Sequence, residues 1–216
     1  MLQIGSLKVG MQLNVIVNDT IPKRALFIAI FCIHISFIVA IELAIRYFNI
    51  DGVHSDRLMT YLESPLELLF VVTVLAPIVE EIAFRYALVK SNYSYLGLLF
   101  GVVFAFVANF NSYLFVLMML LNVLAFIVFR FSNKKILPKI FLVSYVLIFA
   151  ISHSSNYTVA SLQELPVYAL VIQFFPQMVL GMVLTYIRLS SKMFLNVIMY
   201  HALYNLVFVG LALMQL

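Results

Sequence analysis

Apolar residues along this chain gather in long blocks instead of alternating with polar ones. Seven blocks can be drawn: 24–48, 66–89, 95–110, 113–130, 138–153, 166–187 and 193–215. About 20 helical residues cross a hydrocarbon core of roughly 30 Å, so most blocks suffice, while 95–110 and 138–153 are short. The pattern predicts an all-α, polytopic membrane protein with about seven transmembrane helices. Residues 1–22 read as an N-terminal tail and 23–216 as one transmembrane domain. Residues 49–65, with Asp51, Gly52, Asp56 and Pro65, read as a polar connection, and Asn111-Ser112 as a tight hairpin.

Composition agrees with the blocks. The 216 residues are 65% hydrophobic and only 10% charged, whereas a soluble domain carries about 25% charged residues. The tail has no apolar run of the kind that marks a cleavable signal, so the first block reads as a retained helix. One cysteine, Cys32, excludes an internal disulfide and a cysteine-rich metal site, and its apolar surroundings predict a packed thiol.

Charge sets the orientation. Lys8, Lys23, Arg24, Lys90, Arg130, Lys134, Lys135, Lys139, Arg188 and Lys192 all fall on one side of a seven-helix arrangement. Arg46 and Arg57 fall opposite, and Arg85 lies within a block. The positive-inside rule then predicts a cytoplasmic N-terminus and an external C-terminus; the expected location is a prokaryotic cell membrane. It also accounts for the basic pI near 9.2 without nucleic acid as a partner.

Three polar groups interrupt the apolar blocks. Glu80, Glu81 and Arg85 sit in the second block, where a charge facing lipid costs roughly 2.5–3.5 kcal/mol on insertion scales. The three must turn inward. Glu81 and Arg85 share a helix face at i,i+4, with the acid in the favourable N-terminal position, and Glu80 points elsewhere. Pro77 removes a helix donor, which predicts a bare carbonyl at Thr73 and a kink beside Glu80. An ion pair or an interface anchor accounts for Glu81 and Arg85, but not for two adjacent acids at this depth. His153 ends the fifth block, and His201 and Asn205 share a face of the last. At 1.5 Å per residue from the nearest cytoplasmic cation, Glu80, His201 and His153 lie roughly 15, 14 and 21 Å deep. Those depths allow the groups to meet near mid-membrane.

Such a meeting permits hydrolysis. A carboxylate beside an imidazole can take a proton from water, and a second imidazole with an amide can hold an oxyanion. Glu80 is the candidate base and His153 a holder of the same water. His201 and Asn205 are the candidate oxyanion pair, with Glu81 and Arg85 fixing geometry and charge. Ser152 and Ser154 flank His153 but point away from it on a helix. Zinc held by Glu80, His153 and His201 is the rival arrangement, although no local H-E-x-x-H motif calls for it. Packing is the default reading for His34, Glu42, Asn109, Asn122 and Gln173, and helix shaping for Pro176 and Gly181.

The E-E-x-x-x-R of Glu80 to Arg85, the F-x-x-x-H of Phe149 to His153 and the H-x-x-x-N of His201 to Asn205 resemble a known signature. It is that of the CAAX protease and bacteriocin-processing (CPBP, or Abi) family of intramembrane glutamic endopeptidases. The resemblance covers roughly residues 66–210. It implies an all-helical membrane protease that cuts a peptide or membrane-anchored protein with a glutamate-activated water and no required cofactor. In it Glu80 is the base, His153 a water ligand, and His201 with Asn205 the oxyanion pair; Glu81 and Arg85 occupy the remaining motif positions. Tyr86 departs from the glycine that often follows the motif arginine. The stretch from Glu81 to His153 is longer than in the family, which an inserted helix hairpin over 95–130 explains; otherwise the histidine's slot falls near Asn109 or Tyr113. A non-proteolytic scaffold or immunity protein of the same fold is the alternative function, and an ion-coupled transporter a third.

Overall fold

The computed structural model describes residues 23–47, 64–91, 94–107, 112–132, 135–153, 167–191 and 193–213. Every extended element among them is helical, and one isolated bridge, Val89 with Ile136, is the sole β-type pairing. The helices are α1 (Lys23–Tyr47), α2 (Pro65–Phe70), α3 (Ala76–Phe84), α4 (Ser94–Val107), α5 (Ser112–Phe131), α6 (Lys139–Ser152), α7 (Val167–Ser190) and α8 (Leu195–Leu213). A π turn, Val71–Leu75, joins α2 to α3, and a 3₁₀ turn, Tyr86–Leu88, follows α3. The 1–22 tail, most of the 49–65 connection, Asn109, Asn111 and Ser154 lie outside the described residues, as do the side chains of Glu42 and Gln173.

The second block is therefore a broken run, not one helix through 89. Its end has a physical cause. Arg188 on α7 donates from Nε to the Arg85 carbonyl (3.2 Å) and from Nη2 to the Tyr86 carbonyl (3.4 Å), taking up acceptors that a longer helix would use. Past the turn, Lys90 Nζ donates to the carbonyls of Phe129 (2.7 Å) and Ser132 (3.2 Å) at the C-terminal end of α5.

The core lies where α3, the π turn, α6, α7 and α8 pack on one another, with Phe84, Leu88, Phe149, Leu180, Leu184 and Tyr200 buried in it. Helices α4 and α5 form a hairpin against α3, the place where an insertion over 95–130 is predicted. Gly97 lets this hairpin approach: a Cβ there would stand 2.8 Å from Cδ1 of Tyr86. Tyr86 also meets Phe194 edge-on at 5.1 Å, so its ring fills a slot between α4 and the start of α8.

Outward faces are apolar. Leu99, Val103 and Phe106 on α4, and Leu117, Leu120 and Leu124 on α5, are all exposed. One described helix, Tyr113–Phe131, is long and apolar enough to cross a membrane. The apolar stretches Phe27–Ile41, Ser94–Val107, Lys139–Ser152, Phe174–Ser190 and Leu195–Leu211 are shorter. Cys32 is exposed on α1, which corrects the expectation of a packed thiol: its side chain faces outward, while His34 two residues on faces in.

Candidate functional site

Glu81 is the anchor of the site. Its side chain is 0% exposed, and its Oε1 accepts from Arg85 Nη1 at 3.0 Å and meets His201 Nδ1 at 2.8 Å. A buried carboxylate is tolerated when it is paired and hydrogen-bonded, and Glu81 has both an i,i+4 guanidinium and an imidazole. Arg85, 1% exposed, lies with its guanidinium carbon 3.8 Å from the ring centroid of Phe149. That aromatic seat is available because Gly181 on α7 has no side chain. A Cβ there would come within 3.1 Å of Phe149 Cδ1 and 3.4 Å of Arg85 Nη2.

Glu80 behaves differently. It is 20% exposed, its Oε2 has no hydrogen-bond partner, and that oxygen is 3.8 Å from His201 Nε2. Adjacent residues on a helix point about 100° apart, so one acid is clamped by two partners while the other keeps an unpartnered oxygen beside His201. Oε2 of Glu81 and Nη2 of Arg85 are also buried and unpartnered. Three unsatisfied polar atoms in one cluster are unusual, since buried polar groups normally find partners.

The two histidines are held alike. An ionised carboxylate only accepts, so His201 donates from Nδ1 to Glu81 and turns Nε2 toward Glu80. His153, at the end of α6, meets the carbonyl of Phe149 through Nδ1 at 2.8 Å. A carbonyl also only accepts, so the proton sits on Nδ1 and Nε2 is left for another partner. The His153 ring lies 4.8 Å from that of Phe149, and His153 is close enough to Glu80, His201 and Arg85 to interact with their charges. Phe149 touches Arg85, His153 and His201 at once and is the hub of the cluster.

Five of the six candidate residues thus come together: Glu80, Glu81, Arg85, His153 and His201. Asn205 does not join His201 as a pair. Its Nδ2 donates to the carbonyl of Val72 at 2.8 Å, within the π turn. The bare carbonyl expected at Thr73 moves with it, because the π register bonds five residues back instead of four. Arg188 is 8% exposed and grips the backbone of Arg85 and Tyr86, a role the sequence hides by placing it among loop cations. Phe149 is visible as a motif letter, although nothing in the sequence places its ring beneath Arg85.

Of the other embedded polar residues expected to pack, the two whose side chains are described, His34 and Asn122, do so. His34 Nδ1 meets Tyr200 Oη at 3.0 Å, and its ring stacks on Tyr204 at 5.0 Å. Asn122 accepts from Tyr145 Oη at 2.9 Å and donates to the Met118 carbonyl at 2.8 Å. Among the described residues no three His, Cys, Asp or Glu side chains are grouped as metal ligands. Comparison with family models, curated proteins and solved structures finds no match to this chain in any of the three.

Proposed function

We propose that this protein is an intramembrane endopeptidase that hydrolyses a peptide bond with water activated by Glu80. The carrying observation is the division of labour between neighbouring acids. Glu81 is wholly buried and doubly bonded, while Glu80 keeps a free Oε2 beside His201 Nε2. A packing ion pair has no use for the second acid.

The membrane setting rests on the outward apolar faces together with the cluster itself. Leu, Val and Phe side chains cover the exposed surfaces of α4 and α5, and polar groups converge inside. In this reading the apolar helices form a bundle of about seven spans, the shorter ones crossing a locally thinned bilayer.

Chemistry follows from the geometry. A water between Glu80 Oε2 and His153 Nε2 has two acceptors for its protons. Glu80 takes one proton as the oxygen attacks the scissile carbonyl, and His153 orients the other. His201, held through Nδ1 by Glu81, presents Nε2; with a proton on that nitrogen it donates a hydrogen bond to the developing oxyanion and keeps the proton as the intermediate collapses, with Glu81 offsetting the charge. The protonated Glu80 then gives its proton to the leaving amine. Arg85 balances the second carboxylate. The motif resemblance supports the same assignment for Glu80, His153 and His201. Substrates are peptides or membrane-anchored proteins able to enter from the bilayer.

Glu80→Gln keeps the side chain's size but removes the base. Membranes with wild-type protein should show new peptide termini that Glu80→Gln membranes lack. Identical profiles would transfer the function to a non-proteolytic scaffold that binds a partner.

A further inference from the structure

Helix hydrogen bonding is interrupted close to the acids, and the interruption has a specific repair. Pro77 has no N–H. The N–H of Ala76 donates to Val71, five residues back, so the next bond in this register would run from residue 77 to Val72. The Val72 carbonyl receives Nδ2 of Asn205 from α8 instead. Thr73 also bonds back, from Oγ1 to the Leu69 carbonyl at 2.6 Å, a contact that bends helices. An unsatisfied carbonyl is expensive away from water, and neighbouring helices are the usual source of a substitute donor.

We propose that Asn205 is a positioning residue that supplies the hydrogen bond Pro77 cannot make, and so fixes the rotation of α3, instead of donating to the reacting carbonyl. Helix α8 then grips the acid-bearing run at two points, Asn205 on Val72 and His201 on Glu81. One contact would leave the run free to turn about it. Two contacts fix which acid faces His201 Nδ1 and which faces His201 Nε2. The consequence for cleavage rests on the proteolytic reading above; the backbone repair does not.

Four proteins test this: wild type, Pro77→Ala, Asn205→Leu and the double variant, each purified in detergent. Pro77→Ala restores an N–H to the run, so the two sites should be coupled. Asn205→Leu should lower Tm by about 3–8 °C with Pro77 present and by less than half as much in the Pro77→Ala background. Glu80-dependent new termini in membranes should disappear with Asn205→Leu and return in the double variant. Lost packing at position 205 would not be repaired by a backbone N–H at position 77, so the rescue separates positioning from bulk. Asn205→Ala is run through the same cycle in case Leu prevents folding. Equal losses of Tm in both backgrounds would overturn the proposal, as would a restored Tm without restored cleavage. If wild type itself yields no Glu80-dependent termini, the proteolytic reading fails, and the Tm cycle alone still decides the role of Asn205.

Discussion

The carboxylate of Glu81 and the imidazole of His201 stand 120 residues apart in sequence and 2.8 Å apart in space. The same carboxylate oxygen receives Arg85, so one atom joins two helices and a guanidinium. Three consequences follow. His201 is fixed in tautomer and direction, Arg85 is drawn onto the ring of Phe149, and Glu80 is left with an unpartnered carboxylate oxygen.

The Glu81–Arg85 pair should be strongly coupled. Glu81→Gln leaves a buried guanidinium without its countercharge, which costs about 3–5 kcal/mol, and Arg85→Met strands the carboxylate at a similar cost. The double variant removes both charges and should lose clearly less than the sum. Thermal unfolding of the four detergent-solubilised proteins measures the coupling. Additive losses would mean that the pair is not the anchor described here.

Glycines in two helices should respond oppositely to alanine. Gly181→Ala crowds Phe149, Val146 and Arg85 at 3.1, 3.3 and 3.4 Å and should destabilise by about 1–2 kcal/mol. Gly210 has nothing within 4 Å of the same added carbon. Gly210→Ala should therefore stabilise by about 0.5–1 kcal/mol through helix propensity alone. Melting temperatures of the two variants check both signs.

Cys32 tests the setting. It is exposed on α1, yet a thiol facing lipid cannot form the thiolate that reacts with maleimide. In intact membranes Cys32 should resist a charged maleimide and become labelled after denaturation in SDS. Rapid labelling of the native protein in membranes would place that face of α1 in water.

Tyr200 adjoins His201 in the chain, but its hydroxyl bonds His34 on α1. Tyr200→Phe should lower stability by about 0.5–1.5 kcal/mol while leaving Glu80-dependent cleavage in place. Loss of cleavage at unchanged stability would bring the His34–Tyr200 contact into the chemistry.

How much of this is legible in the sequence varies with the range of the interaction. The i,i+4 spacing of Glu81 and Arg85 and the divergence of Glu80 follow from helix geometry, and both are present. All-helical character follows from the length of the apolar blocks. Asn205 reads together with His201 because i,i+4 residues share a face. Its real partner depends on a π register that a proline displaces, which spacing alone does not reveal. The end of α3 is hidden for a related reason: Arg188, over one hundred residues away, takes the carbonyls there. Cys32 reads as packed because a uniformly apolar helix gives no periodic signal to distinguish its inner from its outer face.

The most direct test compares the termini of peptides in membranes carrying wild type, Glu80→Gln or Glu81→Gln at matched protein levels. The account predicts new termini with wild type alone. Glu80→Gln should fold with a Tm close to wild type and cut nothing, whereas Glu81→Gln should lose cleavage together with stability. New termini that persist undiminished with a folded Glu80→Gln protein would contradict the assignment of Glu80 as the base.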